Sequence, residues 1–188
     1  MNVTEYEETR RKLIQMIKER ALFFQLVKLS SGKKSNFYID AKQVTLSAEG
    51  SYLVAKLILH LIKKDNVEAI GGPTIGADPI VGAVIQLGYL NNLPLKGFIV
   101  RKNPKGHGMQ RYVEGPPLKE GTRVAVIDDV VTTGRSTLKA VRVMKEMGCE
   151  VVKVIALVDR KEGAEELLKD NGFILTSLLT RDDLKISE

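Results

Sequence analysis

Two adjacent carboxylates in this sequence stand between an apolar run and a turn rich in hydroxyl groups. The run covers residues 124–127, the acids are Asp128 and Asp129, and the turn covers residues 132–137. This order predicts a buried strand, then a turn, then the start of a helix. Carboxylate oxygens at such a point can hold the vicinal hydroxyls of a ribose, or water on Mg²⁺, because hard cations prefer oxygen ligands.

The turn after the acids has the composition of a phosphate site. Its N–H groups and those of the following helix can surround an anion, which the helix dipole also favours. The hydroxyls that can join them belong to Thr132, Thr133, Ser136 and Thr137. Such residues also cap turns and helices, and an apolar strand that ends in two acids resembles a Walker B element, but the Gly-Lys-Ser/Thr loop is missing. The ordered combination favours a sugar phosphate.

A basic segment at residues 101–121 is a second candidate. It is long, it is punctuated by glycine and proline, and its first half carries positive residues with no acid among them. The groups suited to chemistry are Arg101, Lys102, Lys105 and His107. A solvated basic hairpin is the simpler interpretation. Cations on a mobile lid, however, would neutralise a departing diphosphate and exclude water from a reactive sugar cation.

The elements that must position these groups alternate between strand and helix from residue 51 onward. We predict helices at 51–63, 79–87, 136–147 and 162–170, and strands at 67–70, 95–100, 123–127, 151–158 and 173–179. Alternating elements with continuous apolar strands predict an α/β fold, a central parallel sheet flanked by helices. Ligands bind such sheets beyond the carboxyl ends of the strands. A capping box at Thr4 to Glu7 predicts an N-terminal helix. We predict that this helix and several short strands make up a small hood consisting of residues 1–46, and that residues 47–188 form the core.

The composition limits the kinds of partner. The net charge of +6 indicates an anionic partner. Proteins that bind single-stranded nucleic acid usually place aromatic side chains among their basic residues, but the basic stretch at 96–111 contains only one aromatic, Phe98, so a small polyphosphate fits better. The apolar stretches are too short and too interrupted for a membrane span, and the first residues do not have a signal-peptide pattern. Cys149 is the only cysteine and is expected to be buried, which fits a cytoplasmic protein.

Residues 126–137 resemble the phosphoribosyl diphosphate signature of the type I phosphoribosyltransferases. The resemblance implies that family's fold, with Asp128 and Asp129 on the ribose hydroxyls and residues 130–136 around the 5-phosphate. Those phosphate-loop residues are Val130, Val131, Thr132, Thr133, Gly134, Arg135 and Ser136. It also implies Mg²⁺ as cofactor, held by substrate and water, with the acidic pair, Asp128 and Asp129, as candidate ligands. Arg135 stands where many members have a small residue, so its side chain must point outward or touch the phosphate.

Three further segments resemble the orotate-specific members of that family. The pattern Arg-Lys-x-x-Lys-x-His at 101–107 resembles their catalytic loop, which implies that Arg101, Lys102, Lys105 and His107 contact the diphosphate. In that family the loop reaches into the neighbouring subunit, so a homodimer with a shared lid is implied. Residues 29–40 and 158–163 resemble the base pocket, in which Thr132 and Arg160 would bind orotate. The base wall there would consist of Phe37, Tyr38 and Ile39.

The implied reaction transfers ribose 5-phosphate from 5-phospho-α-D-ribose 1-diphosphate to orotate. Two departures bear on it, since Ser30 replaces a lysine that many members have, and residues 72–78 also lack one. In that loop the backbone of residues 74–77 would meet the diphosphate. A relative that uses another base and a nucleotide-sensing regulator of the same fold are the alternatives. Taken alone, residues 159–162 are more typical of a charged helix start.

Overall fold

The N-terminal part is a long helix followed by short strands. The structure is a computed structural model that describes residues 1–28, 34–103 and 112–186. Helix α1 (Val3–Arg20) begins after Asn2, whose side chain accepts a hydrogen bond from the Glu5 N–H at 2.9 Å. The predicted capping box at Thr4 is therefore wrong, because Asn2 already caps the first turn. Strand β1 (Leu22–Phe23) pairs antiparallel with β4 (Tyr38–Ile39), and β2 (Val27–Lys28) with β3 (Lys34–Ser35).

The rest of the chain alternates between strands and helices, as predicted. The helices are α2 (Lys42–Thr45), α3 (Ala48–Ile62), α4 (Ala77–Leu90), α5 (Arg135–Glu146) and α6 (Ala164–Asp170). The strands are β5 (Ala69–Pro73), β6 (Lys96–Val100), β7 (Val113–Glu114), β8 (Arg123–Val131), β9 (Glu150–Asp159) and β10 (Leu175–Thr180). They form a six-stranded sheet in the order β10-β9-β8-β5-β6-β7. Every pair is parallel except β6 with β7, which confirms the predicted fold class.

The central strand β8 explains why its apolar run is continuous. Ala125 and Ile127 belong to the core beneath α1, α3 and α4, whereas Val124 and Val126 belong to the core beneath α5 and α6. Successive side chains of a strand point to opposite faces, so a strand covered on both faces needs apolar residues at every position. All four of these side chains are at most 1% exposed.

Several predicted boundaries shift because tertiary pairing extends the elements. Strand β8 runs to Val131 instead of stopping at residue 127, with Asp128 opposite Ala156 and Val130 opposite Val158 on β9. The acidic pair therefore lies inside the end of a strand, where the pairing fixes its backbone. Cys149 is buried, as predicted. No helix within the described residues is both long and apolar enough to cross a membrane.

Candidate active site

The first acid of the pair is built into the end of β8. Asp128 is only 5% exposed, and its Oδ2 accepts hydrogen bonds from the hydroxyls of Ser136 at 3.1 Å and Thr137 at 2.8 Å. Thr137 is fully buried. Its hydroxyl thus holds the carboxylate in place, and the prediction that it faces a phosphate is wrong.

The acidic pair is electrostatically costly for the folded protein. Burial, and then repulsion by Asp129, raises the pKa of Asp128 to about 7. Burial also raises the pKa of Asp129, although a backbone hydrogen bond and the nearby charge of Lys42 oppose the shift. A buried and a half-buried carboxylate, both with raised pKa values, favour the binding of a cation or of several hydroxyl donors. No cluster of three or more His, Cys, Asp or Glu side chains suited to a metal occurs among the described residues.

The turn after the acids leads into α5 through a left-handed glycine. Gly134 has φ +73°, and a Cβ added to it would lie 3.1 Å from the Cα of Ala164, so a larger residue would be both strained and crowded. No side chain in the described structure caps α5. The first N–H groups of this helix are therefore available to an anion, as the phosphate prediction requires. The side chain of Arg135 is exposed, the outward alternative of the two that were predicted.

A second loop packs directly against the acidic pair. It follows β5 and enters α4 at Gly76, and a Cβ at Gly76 would lie 2.2 Å from Oδ1 of Asp129. Only glycine allows the carboxylate this close to the backbone. The Thr74 hydroxyl donates to Oδ2 of Asp78 at 2.9 Å, and the Thr74–Ile75 peptide bond is cis. The loop predicted to meet the diphosphate thus lies next to the predicted ribose site.

Arg160 lies across the site from this loop, and it is buried. Its side chain is 2% exposed, and its guanidinium stacks on the Phe37 ring at 4.1 Å. Two of its nitrogens donate to Oε1 of Glu162, at 2.8 Å and 3.0 Å. Helix α6 begins only at Ala164, so these charged residues do not start a helix as their composition alone suggested. Phe37 was predicted in the base wall, but the structure places it against Arg160 and not on the cavity surface.

A single cavity of about 760 Å³ joins these groups. Of the residues predicted for the site it is lined by Tyr38, Ile39, Arg101, Lys102, Asp128, Asp129, Val130, Thr132, Ser136 and Arg160. Val131 is buried beneath it. Lys105 and His107 lie outside the described residues. The cavity brings acids, cations and an apolar wall together. Such a lining suits two ligands, one highly charged and one planar.

Two charged residues of the cavity were missed from the sequence, Lys42 and Lys139. Each had a usable signal. Lys42 follows the predicted base-pocket segment by two residues, and Lys139 lies one helical turn after Ser136, on the same face of the helix.

Lys139 links α5 to two parts of the basic segment. Its ammonium donates to the Lys102 carbonyl at 2.6 Å and lies 5.2 Å from the Tyr112 ring centroid. These two parts also meet each other, since the Arg101 N–H donates to the Tyr112 carbonyl at 2.8 Å. Two residues of the predicted long loop thus form strand β7, which pairs with β6. The mobility of the segment stays a prediction.

Comparison with known proteins agrees with this geometry. Residues 44–179 match the family model described as phosphoribosyl transferase domain. The chain therefore belongs to the phosphoribosyltransferase family, as the resemblance of residues 126–137 predicted.

Within that family the chain is similar to proteins named for orotate. It is 48% identical to the orotate phosphoribosyltransferase of Aquifex aeolicus (strain VF5), over 93% of this chain and 97% of the relative. The solved orotate phosphoribosyltransferase of Mycobacterium tuberculosis H37Rv in complex with Fe(III) dicitrate has a TM-score of 0.82 and 36% identity, covering 95% of this chain and 99% of that one. A structure of the Mycobacterium tuberculosis protein with 5-phospho-α-D-ribosyl 1-diphosphate has a TM-score of 0.78 and 32% identity, with the same coverage.

Proposed function

We propose that this protein transfers ribose 5-phosphate from 5-phospho-α-D-ribose 1-diphosphate to orotate, forming orotidine 5′-phosphate and pyrophosphate in pyrimidine biosynthesis. The observation that carries the proposal is the single cavity in which the acidic pair and its phosphate turn face Arg160. One side suits a sugar phosphate, and the other suits a planar anionic base. The similarity to orotate phosphoribosyltransferases supports the same reaction.

The chemistry requires two ligands to be held in line. N1 of orotate attacks C1 of the ribose, the new C1–N1 bond forms, and the bond from C1 to the diphosphate oxygen breaks. The diphosphate leaves as pyrophosphate, and the N1 proton passes to it or to water. Asp128 and Asp129 hold the ribose hydroxyls, and residues 130–136 hold the 5-phosphate. Positive charge develops on the ribose in the transition state, near the two carboxylates. Fixing both reactants removes much of the entropy cost of the encounter.

The base is held by a preorganised arginine. Glu162 and the Phe37 ring fix the Arg160 guanidinium, which donates to the orotate carboxylate or a ring carbonyl. Thr132 supplies a second hydrogen bond, and Tyr38 and Ile39 form the wall on which the ring lies. Uracil lacks the carboxylate, so it loses an ionic contact in this pocket.

Magnesium fits the donor set of the acidic pair. Asp128 and Asp129 offer carboxylate oxygens, which a hard cation prefers, and their raised pKa values indicate a site that gains from a positive charge. Water and substrate oxygens would complete its ligand set. When bound, the ion neutralises the diphosphate and makes it a better leaving group.

The lid and a second subunit complete the proposal. Arg101 and Lys102 already line the cavity. We place Lys105 and His107 over the diphosphate of a neighbouring subunit in a homodimer. The reaction is placed in the cytoplasm, where a buried and unpaired Cys149 stays reduced.

Lys105→Ala is expected to reduce kcat and to leave the KM for orotate nearly unchanged. A cation that meets charge developing on the leaving group contributes about 2 kcal/mol, so turnover should fall roughly 30-fold. Steady-state kinetics would measure this. Lys119→Ala is the matched control, since Lys119 belongs to the same predicted lid, is exposed and does not line the cavity. Unchanged turnover in Lys105→Ala would remove the lid from the mechanism.

The choice of base is tested with one panel of reactions. The protein, Mg²⁺ and phosphoribosyl diphosphate are mixed with orotate, uracil, adenine or hypoxanthine, and consumption of each base is followed. Only orotate should be consumed at a substantial rate. Consumption of a purine alone would reassign the base, and consumption of none would favour a nucleotide-sensing regulator.

A further inference from the structure

Lys42 is a cavity cation that has no role in the reaction as proposed above. Lys42 begins α2, directly after strand β4, whose Tyr38 and Ile39 line the same cavity. Its ammonium forms an ion pair with the carboxylate of Asp40 at 2.6 Å, and its side chain is 33% exposed. The cation is thus partly shielded from water, and it can still reach a ligand.

Lys42 lines the same cavity as the acidic pair and the loop after β5. Burial lowers the pKa of Lys42, but the hydrogen bond to Asp40 and the charge of Asp129 outweigh this and raise it. The carboxylate of Asp129 in turn packs against the backbone at Gly76. Lys42, Asp129 and residues 73–76 thus share one cavity, in which the charge of Asp129 acts on the Lys42 ammonium.

Under the proposed function, this cavity must receive the diphosphate, the most highly charged part of the substrate. The loop after β5 contributes only neutral groups at residues 72–76, and it contains no lysine. Three other cavity cations of the described chain have partners of their own, since Arg160 pairs with Glu162, Arg101 with Glu114, and Lys139 with the Lys102 carbonyl. The Lys102 side chain also lines the cavity, but it belongs to the basic segment that is proposed to form the lid. Lys42 lines the cavity outside that segment, and its flexible stem lets the ammonium exchange Asp40 for another oxygen partner.

Given the proposed function, we propose that Lys42 binds the diphosphate of phosphoribosyl diphosphate within its own subunit. Its ammonium leaves Asp40 and pairs with a diphosphate oxygen, in place of the lysine that is missing from residues 72–78. The loop after β5 supplies N–H groups to the same diphosphate. Lys42 is thus a substrate-binding residue, distinct from the lid cations that a partner subunit would contribute.

The test removes the charge of Lys42 and keeps its length. In Lys42→Met, the dissociation constant of phosphoribosyl diphosphate, measured by isothermal titration calorimetry with Mg²⁺, should rise about tenfold, as expected for the loss of one charged hydrogen bond. The KM for this substrate should rise in parallel, and the KM for orotate should stay within about twofold. Lys42→Arg should restore most of the affinity, and Lys42→Gln should behave like Lys42→Met if methionine disturbs folding.

Lys56→Met is the matched control. Lys56 is also a helical lysine, ion-paired with Glu5 at 2.7 Å, but it lies on α3 outside the cavity, so its loss should not affect either constant. Unchanged binding of phosphoribosyl diphosphate by folded Lys42→Met would overturn the assignment. A rise in the KM for orotate alone would also overturn it, because it would place Lys42 on the base side. The titration needs no base, so a failure of orotate turnover would reject the proposed function without affecting this result.

Discussion

Asp128→Asn is expected to lower kcat/KM by about 1000-fold, while it makes the folded protein more stable at alkaline pH. The loss of activity follows from the charge, because the amide cannot balance a positive ribose or hold a cation as a carboxylate does, which costs roughly 4 kcal/mol of transition-state stabilisation. Most of the shape of the site should survive, since an Asn oxygen can still accept the hydrogen bonds of Ser136 and Thr137, and only the bond from the Asp129 N–H to Oδ1 is lost.

The gain in stability follows from the raised pKa of Asp128. The folded protein binds a proton on this carboxyl with a pKa of about 7, whereas the ordinary pKa of an aspartate, as in the unfolded chain, is 3.8. Because the folded state holds the proton more tightly, the wild-type free energy of unfolding falls as pH rises through this window, and the asparagine variant does not share that fall. Between about pH 5 and about pH 8.5, the stability of the variant relative to wild type should therefore grow by on the order of 2 kcal/mol.

Urea unfolding at both pH values and steady-state kinetics would measure the two effects. Asp65→Asn is the matched control, because Asp65 pairs with Lys153 at 2.6 Å at the opposite end of the sheet and should alter kcat/KM little. If the stability of Asp128→Asn relative to wild type does not change with pH, ionisation of Asp128 does not destabilise the folded protein, and its pKa is not raised. Retention of near wild-type activity would place the ribose hydroxyls elsewhere.

Arg160→Leu is expected to abolish the use of orotate and also to weaken the fold. The guanidinium is buried between Phe37 and Glu162, so its removal leaves the Glu162 carboxylate without this partner in a partly buried position. Breaking a buried pair in this way costs about 3 kcal/mol or more of stability. Loss of the donor to the orotate carboxylate should lower kcat/KM at least 1000-fold in addition.

Two further variants separate the structural effect from the substrate effect. Glu162→Gln weakens the same ion pair and keeps the guanidinium, so it should lose some stability and much less activity. Arg123→Leu removes an arginine that pairs with Glu150 at 2.7 Å on the exposed, opposite end of the sheet. It should change neither the free energy of unfolding nor the activation free energy of the reaction by more than about 1 kcal/mol. If Arg160→Leu had normal affinity for orotate at reduced stability, Arg160 would be purely structural.

The sequence predicted the elements better than their ends. The alternation of strands and helices was correct because the apolar periodicity is a local property of the chain. The end of β8 was missed because the strand continues through two acids, and what holds them in extended conformation is pairing with β9. The role of Thr137 was misjudged for a related reason, since its hydroxyl turns inward to a carboxylate nine residues away.

The residues proposed to bind the sugar phosphate could be found from the sequence alone. These residues lie within 124–137, where the strand, the acidic pair, the turn and the start of α5 follow one another. The site can therefore be predicted from the order of these residues along the chain. Only the tertiary structure decided which cations surround them. Lys42, Arg101 and Arg160 come from distant parts of the chain and meet at one cavity. Arg101 and Arg160 follow β6 and β9, whose carboxyl ends are brought to the same edge of the sheet by parallel pairing, whereas Lys42 follows β4 of a separate antiparallel pair.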